Sequence, residues 1–441
     1  MIDLNEVFQQ GVNDYTENRF VEASEKFKAV LDQDPSNIVV WHDYGLSLLK
    51  QDKFVEAIDA FDIPIVNGYT ESYLSRGAAY RSLGKYLEAA ADFATCLMLD
   101  PNNANASSNL GNSLREFGMP VLALPFLNKA LTKNPNDPTY RLNESVAHLL
   151  KGDLLAGWKN YDARWFYQSD TSFKPNLPGP EYDGSQDIND KIVCVYCEQG
   201  FGDSVQFIRF IKILQAKGAK ILLVTRKPLM NLFAYNFPDI DIRLEYTNLS
   251  YHYHVPLMDL PKCLNISIDT IPYAEPYLSI KDDLVQQYKD QLKPTAKKRI
   301  GIVWSSNAIA FTTKFRQVPL ESMLQAFSDY ELVNIKYDVT QEEKAILDKY
   351  NVQSFDVDGL DKVAGLIKTL DAVVTVDTVY AHVAGALGIP TYVMLSDYGM
   401  DWRWFLNRTD SPFYNSVTVV RQQGNGDWAP VFLDISKQLA G

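Results

Sequence analysis

Three short segments hold the residue types that could do chemistry, and each follows an apolar run that is typical of a strand. The first is a glycine-rich loop containing Gln199, Gly200, Gly202 and Asp203. Its glycines allow a tight turn where backbone can approach a ligand, and a carboxylate at the carboxyl end of a strand is placed as a general base would be. The alternative is that Asp203 caps the next helix, with Gln206 completing a capping box.

The second segment is Asp377, Thr378 and His382, after the predicted strand Ala372–Val376. Thr378 and His382 are four residues apart and share one face of a helix. Free N–H groups and the helix dipole at this end favour phosphate. Gly385 and its small neighbours keep the helix slender, so that a ligand or a strand can approach. The alternatives are an N-cap for Asp377 and a satisfied, half-buried histidine for His382.

The third segment contains Ser305, Ser306 and Asn307, followed by Lys314 and Arg316. Small hydroxyls, an amide and two cations suit the oxygens of a diphosphate. The alternative is an ordinary solvated loop.

A strand–helix alternation must position these segments. The predicted strands are Ile192–Cys197, Ile221–Thr225, Ile240–Leu244, Ile300–Trp304, Glu331–Ile335, Ala372–Val376 and Thr391–Leu395. Strands that alternate with helices predict parallel sheets, here in two Rossmann-like halves over 187–295 and 296–441. Ligands of such sheets bind beyond the carboxyl ends of the strands. The first loop does not fit a dinucleotide fingerprint, because Val205 replaces the third glycine and Arg226 follows the second strand where an acid is required.

The first 170 residues repeat. A small residue, an alanine and an aromatic residue recur at intervals of 34, 32 and 34 residues: Gly11, Gly45, Gly77 and Gly111; Ala23, Ala57, Ala89 and Ala123; Phe27, Phe61 and Phe93. This pattern resembles the tetratricopeptide repeat, a helix–turn–helix unit that binds peptides or partner subunits in a concave groove. About five units cover 5–170, and the domain is predicted over 1–170 with a linker over 171–186. The second unit is two residues short, so its second helix is predicted to be truncated.

Composition narrows the class of protein. The chain has 441 residues and a net charge of -13, which argues against a nucleic-acid partner. No apolar run approaches the roughly 18 residues of a membrane span, and the first residues show no secretion signal. We therefore expect a soluble, cytoplasmic protein without a membrane span.

Residues 190–441 resemble the bacterial heptosyltransferase-like glycosyltransferases, in particular their tetratricopeptide-fused branch. The resemblance rests on an ordered set of segments: Glu198–Asp203, Gly301–Asn307, Val376–Gly388, Asp401–Trp404, Ser411–Tyr414 and Val420–Gln422. The order of domains, with helical repeats before a catalytic unit of two Rossmann-like halves, is also similar to that of the protein O-linked N-acetylglucosamine transferases.

The resemblance implies a GT-B fold and an inverting, metal-independent transfer from a nucleotide-sugar, with no other cofactor. It implies that Asp203 is the base that deprotonates the acceptor hydroxyl and that Lys314 neutralises the leaving diphosphate. The other residues assigned to the donor are Asn307, Arg316, Asp377, Thr378, His382 and Gly385, and those assigned to the acceptor side are Gln199, Gly200 and Gly202. The sequence departs from the family where Thr313 replaces an acid and Gln317 replaces a serine.

The sequence thus predicts an α-helical tetratricopeptide solenoid followed by a GT-B unit that transfers a sugar to a hydroxyl. The acceptor is expected to be a protein or glycan recruited by the repeats, and a flagellin-like protein is one candidate. The alternative is a non-catalytic scaffold whose glycosyltransferase-like domain has degenerated, as the altered 313–317 loop would allow.

Overall fold

A computed structural model describes residues 3–166, 174–306, 316–397, 400–424 and 426–440. The chain falls into two compact units, Met1–Ala147 and His148–Gly441. Their boundary lies inside a helix, whereas the repeats predict a boundary at 170. Across the described ranges, no helix has both the length and the apolar composition needed to cross a bilayer.

The described N-terminal region, from residue 3 to residue 160, is a run of ten helices. Their bounds are α1 (Leu4–Thr16), α2 (Phe20–Leu31), α3 (Ile38–Lys50), α4 (Phe54–Val66), α5 (Ser72–Ser82), α6 (Tyr86–Leu99), α7 (Ala104–Glu116), α8 (Pro120–Lys133), α9 (Pro138–Lys151) and α10 (Leu154–Asn160). Each helix from α1 to α8 packs against the next. This is the helical repeat architecture that the spacing predicts.

The repeated glycines lie where the two helices of a pair cross. A Cβ atom added to Gly45 would lie 2.6 Å from the Phe61 ring, and one added to Gly77 would lie 2.8 Å from the Phe93 ring. Phe93 also clusters with Leu110 of the following pair. The aromatic residue therefore closes its own pair and joins it to the next.

The prediction that the second unit has a truncated second helix is wrong. Helix α4 has 13 residues and continues through Pro64, whose missing N–H costs it a single backbone bond. The two missing residues shorten α5 instead, which has 11 residues where α3 and α7 have 13. The side chain that caps α7, Asn103, has no counterpart at Glu71, which makes no capping bond.

The second unit alternates strands and helices. Its strands are β1 (Ile192–Tyr196), β2 (Lys220–Val224), β3 (Asp241–Arg243), β4 (Tyr253–Pro256), β5 (Arg299–Val303), β6 (Glu331–Asn334), β7 (Gln353–Ser354), β8 (Ala372–Val376), β9 (Thr391–Leu395), β10 (Asp410–Ser411) and β11 (Tyr414–Arg421). Its further α-helices are α11 (Phe201–Phe207), α12 (Ile211–Ala216), α13 (Lys227–Asn236), α14 (Leu260–Cys263), α15 (Asp282–Gln291), α16 (Leu320–Ala326), α17 (Gln341–Lys349), α18 (Leu360–Ile367), α19 (Val379–Leu387) and α20 (Ala429–Ala440). The 3-10 segments are Tyr161–Phe166, Ile208–Phe210, Leu257–Asp259, Ile268–Thr270 and Trp402–Trp404.

Two sheets form the core of this unit. The first has the strand order β3-β2-β1-β4, and the second has the order β10-β11-β9-β8-β5-β6-β7. All their pairings are parallel except that of β10 with β11. In the second sheet the chain moves outward from β5 through β6 to β7, then returns to place β8 on the other side. Such a reversal opens a crevice at the carboxyl ends of β5 and β8, where ligands of α/β sheets bind.

Candidate functional site

A cavity of about 570 Å³ lies at the carboxyl ends of the strands of the second unit. Most of its lining follows directly after β1, β2, β5, β6 and β8. The lining residues used below are Tyr161, Gln199, Gly200, Phe201, Gly202, Asp203, Arg226, Ser305, Ser306, Arg316, Tyr337, Asp338, Asp377, Thr378, His382, Asp401 and Arg403. The cavity thus brings together described parts of all three segments that the sequence singles out.

Asp203 does not cap a helix, so that alternative is wrong. Helix α11 begins one residue after its N-cap, Gly200, and no side chain makes a capping bond there. Asp203 is the third residue of the helix, and its Oδ1 lies 2.5 Å from the Arg403 guanidinium. Its Oδ2 lies on the side of Gly200, where an added Cβ atom would be 3.0 Å away. One carboxylate oxygen is therefore held by a cation and the other faces the glycine turn.

Gly202 lets α11 approach α19, so that both helices border one cavity. A Cβ atom at Gly202 would lie 2.7 Å from Cδ2 of His382 and 3.5 Å from the Cα atom of Val379. The backbone carbonyl of Gln199 accepts a hydrogen bond from Arg226, which fixes the start of the turn. The glycine loop therefore allows close approach between α11 and α19, the helices that follow β1 and β8.

Asp377 is not an N-cap either. The N-cap of α19 is Thr378, whose hydroxyl lies 3.1 Å from that of Thr375 and makes no capping bond. The Asp377 carboxylate accepts a bond from the Trp404 indole at 2.8 Å and pairs with Arg316 at 2.8 Å. A buried carboxylate at this position therefore belongs to an ion-pair network.

That network is a chain of alternating charges. Arg403 bridges Asp203 and Asp401, and Arg316 bridges Asp401 and Asp377. Burial acts to raise the pKa of Asp401, but the two guanidiniums and the hydrogen bonds from Arg403 outweigh it and lower that pKa to about 2. Burial raises the pKa of Asp377 despite the opposing charge of Arg316. Three carboxylates and two guanidiniums leave the network one negative charge when all are ionised.

His382 is neutral at physiological pH. It is only 4% exposed, its Nδ1 lies 2.9 Å from the Tyr414 hydroxyl, and its ring stacks on Trp404 at a centroid distance of 5.2 Å. Burial first, and then the charge of Arg403, lower its pKa to about 3. His382 therefore fits the alternative of a histidine whose hydrogen bonding is satisfied inside the protein better than it fits a phosphate-binding cation. Its side chain does line the cavity.

Gly385, which the sequence assigns to the donor, is not among the described residues that line the cavity. A Cβ atom there would lie 2.7 Å from the Tyr414 ring and 3.1 Å from Val417. Both residues belong to β11. The small residues of α19 therefore allow a strand, rather than a ligand, to approach.

Trp402 and Trp404 are both buried, so they pack the interior instead of presenting a stacking surface to a sugar. Trp402 contacts Trp158, Tyr161 and Phe207 edge-on. Trp158 also donates to the Ile266 carbonyl at 3.1 Å. Trp158, which the spacing places in the last of the five repeats, thus packs within the second unit.

The other predicted residues divide into those the structure describes and those it does not. Ser305 is buried and Ser306 lines the cavity, so this part of the third segment is not an ordinary solvated loop. Arg316 is committed to two carboxylates. Asn307 and Lys314 lie outside the described residues.

Sequence reasoning missed several groups in the cavity. Tyr161 was assigned to the repeats, yet it borders the cavity, and Tyr337 and Asp338 follow β6 there. Arg226 served only to exclude a dinucleotide fingerprint. The one available signal for Arg403 was its place in a charged, tryptophan-rich segment, and nothing local indicated its partner. Among the described residues, no three His, Cys, Asp or Glu side chains are grouped as a metal site requires.

Comparison with known proteins identifies the repeats. The family model described as Tetratricopeptide repeat matches residues 70–103, which is the third repeat. Tetratricopeptide repeats are therefore present, as the spacing predicts. The chain is also similar to Protein FlbA of Caulobacter vibrioides (strain ATCC 19089 / CIP 103742 / CB 15), with 23% identity over 454 residues that cover 96% of this chain and 70% of FlbA.

Several solved structures that are similar to this chain each cover little more than a third of it. The crystal structure of MamA protein is 18% identical, covers 39% of this chain and 98% of its own, and gives a TM-score of 0.34. YrrB, described as a TPR protein with an unusual peptide-binding site, is 18% identical over 38% of this chain and 88% of its own, with a TM-score of 0.33. The thermophilic TPR protein TTC0263 of Thermus thermophilus is 18% identical over 37% and 91%, with a TM-score of 0.32.

Proposed function

We propose that the second unit is an inverting, metal-independent glycosyltransferase of the GT-B type that uses a nucleotide-sugar as donor. The observation that carries the proposal is the cavity itself, bordered by Asp203 after β1 on one side and by Asp377 and Thr378 after β8 on the other. Sugar transfer needs an acceptor hydroxyl and an activated anomeric carbon side by side. A cavity between the strand ends of two parallel sheets suits that requirement.

In the proposed reaction the acceptor oxygen attacks the anomeric carbon of the donor while the bond from that carbon to phosphate breaks. The hydroxyl proton passes to Asp203, and the leaving group departs as a nucleoside phosphate. Oδ2 is the atom of Asp203 that would take the proton, because Oδ1 is held by Arg403. The pair with Arg403 keeps the carboxylate in place for this step.

The proposed roles at the donor side follow from charge. His382 is neutral, so it would act there as a hydrogen-bonding group. The N–H groups of the first turn of α19 would donate hydrogen bonds to an anion, since Thr378 makes no capping bond to them. Lys314 remains the proposed counter-charge for the leaving group.

A nucleotide-sugar panel tests the proposal, with binding measured by calorimetry and donor turnover by release of the nucleotide. General-base catalysis contributes about 10²- to 10⁴-fold, so Asp203→Asn should lower turnover at least a hundredfold with little change in donor affinity. The exposed Asp239 provides a matched control, because Asp239→Asn removes a carboxylate from the same half of the unit. Wild-type protein that neither binds nor turns over any donor would refute the proposal.

The acceptor is proposed to be a protein or glycan hydroxyl brought to the enzyme by the tetratricopeptide repeats, which we propose bind a peptide or a partner subunit. A flagellin-like protein is one acceptor to test. Mass spectrometry of candidate acceptors, incubated with enzyme and a donor that binds, would reveal the added sugar. A loss of labelling when a peptide competitor occupies the repeats would link recruitment to transfer.

A second candidate is a non-catalytic scaffold with a degenerate glycosyltransferase-like domain. The engagement of Asp203 by Arg403 favours it, since one oxygen of that carboxylate is already held by a cation. Glycosylation in a lysate that depends on added donor, and that Asp203→Ala abolishes, would exclude the scaffold.

A further inference from the structure

Arg226 differs from the other two arginines that line the cavity. Arg316 and Arg403 each hold two carboxylates. Within the described part of the chain, Arg226 has no carboxylate at ion-pair distance and does not belong to the alternating network. Its charge is therefore available to a ligand, whereas theirs are already matched.

The surroundings of Arg226 hold the guanidinium in a fixed position. Its centre lies 4.2 Å from the centroid of the Phe201 ring, and one terminal nitrogen donates to the Gln199 carbonyl. Its Nε is buried and has no hydrogen-bond partner. Both Phe201 and Gln199 belong to the glycine loop that carries Asp203. The side chain is thus oriented by the same loop as the proposed base.

A half-buried guanidinium without a carboxylate at ion-pair distance is unfavourable on its own. Burial lowers the pKa of Arg226, and the more distant charges of Asp203 and Glu198 offset only part of that shift. Neither the carbonyl nor the aromatic ring supplies a full negative charge. The planar donor fork of an arginine matches a phosphate or carboxylate, and such charge-assisted bonds are among the strongest available.

The balance of fixed charges points the same way. The described lining carries four carboxylates and three guanidiniums: Asp203, Asp338, Asp377 and Asp401 against Arg226, Arg316 and Arg403. Asp338 is paired with Lys336 at 3.4 Å, so the excess negative charge belongs to the network of Asp203, Asp377 and Asp401. Arg226 adds a positive charge to the wall beside that network.

We propose that Arg226 binds an oxyanion of the substrate on the wall that the first sheet contributes to the cavity. The inference rests on the proposed function and adds a specific recognition element to it. The oxyanion has two possible sources, the phosphates of the donor and a carboxylate carried by a sugar. Both present oxygens that suit the guanidinium fork.

Calorimetry on the full chain separates the two sources. Inorganic pyrophosphate is a probe for the phosphates that does not depend on the base, and UDP-glucose with UDP-glucuronic acid forms a pair that differs by one carboxylate. Loss of a charge-assisted bond corresponds to roughly ten- to hundredfold in affinity, so Arg226→Gln should weaken one of these probes by that factor. Arg226→Lys keeps the charge without the fork and should lose less.

The neighbouring Lys227 provides the control, because it is exposed and lies outside the cavity lining. Lys227→Gln should bind every probe as the wild type does. Weaker pyrophosphate binding by Arg226→Gln supports a phosphate contact, and a selective loss for UDP-glucuronic acid supports a carboxylate contact. Unchanged binding of all probes by Arg226→Gln overturns the inference alone and leaves the proposed function standing. Wild-type protein that binds no probe overturns the inference as well, whereas only failure of the whole nucleotide-sugar panel overturns the proposed function.

Discussion

The two units differ in the sequence range of the contacts that build them. In the repeats, Gly45 packs against Phe61, 16 residues further along the chain, and the same contact recurs between Gly77 and Phe93. In the α/β unit, Asp203 pairs with Arg403, 200 residues away. A repeated local contact leaves a period that can be read in one sequence, but a single long-range ion pair leaves none.

The largest expected effect comes from breaking the long-range network. Arg403→Met leaves two half-buried carboxylates without the buried cation that they share, and removing one partner of a buried ion pair costs about 3–5 kcal/mol. Hydrogen exchange should therefore show less protection in α11 and α19. The exposed pair of Arg408 with Asp410 is a control from the same segment, since Arg408→Met should cost at most about 1 kcal/mol.

Neutralising Asp203 and Asp401 tests whether their unpaired charge causes the loss of protection. If the penalty arises from uncompensated charge, adding Asp203→Asn and Asp401→Asn to Arg403→Met should recover part of the lost protection. Protection that falls equally for Arg403→Met and Arg408→Met would show that the network contributes no more than a surface pair.

A smaller effect is expected from pH, at His382. A neutral buried histidine contributes stability that is present above the ordinary pKa near 6.5 and is lost as pH falls toward the folded-state pKa of about 3. Between pH 7 and pH 5 this amounts to about 2 kcal/mol. The free energy of unfolding of the wild type should therefore fall more on acidification than that of His382→Gln, as urea titration at each pH would measure.

Glu198 provides a control of opposite sign. Burial raises its pKa to about 7, against the opposing charge of Arg164 and with help from the Asp259 carboxylate. Its folded state binds the extra proton, so this group favours the folded protein as pH falls from 7 toward 4.5. Glu198→Gln should therefore change the slope in the direction opposite to His382→Gln. Equal slopes in the wild type and His382→Gln would contradict the neutral histidine.

The same difference in range decides how much of the molecule could be predicted. The period predicted the tetratricopeptide repeats, which the match to 70–103 confirms, because every repeat contact joins positions at a fixed spacing. The strand–helix alternation predicted a region of parallel sheets. It missed β7 and β10, which have two residues each and leave almost no pattern, and it also missed β4 and the eight-residue β11.

The candidate site was predictable only in part. Loops at strand ends could be named, since parallel strands bring their carboxyl ends to one edge of a sheet. The partners of Asp203 and Asp377 could not, because the local pattern favoured helix caps and the competing arginines lie far away in sequence. The packing of Gly385 against β11 could not be predicted for the same reason, since that strand lies about 30 residues further along the chain.

The smallest expected effect tests the local contact of the repeats at two equivalent positions. Gly45→Ala places a methyl group 2.6–2.9 Å from three atoms of the Phe61 ring, whereas Gly111→Ala meets Leu127 at 2.6 Å and 2.7 Å and the Ala123 carbonyl oxygen only at 3.1 Å. Each substitution gains up to about 1 kcal/mol of helix propensity, and overpacking costs about 1–3 kcal/mol. A rigid ring cannot move aside as a leucine can. Gly45→Ala should therefore lose local protection in α3 and α4 by hydrogen exchange, while Gly111→Ala should change α7 and α8 much less.

A double substitution tests whether the methyl group and the ring compete for the same space. Adding Phe61→Leu to Gly45→Ala should cost less than the sum of the two single changes, because the leucine relieves the clash. Strict additivity would show that the glycine and the ring do not compete for this space.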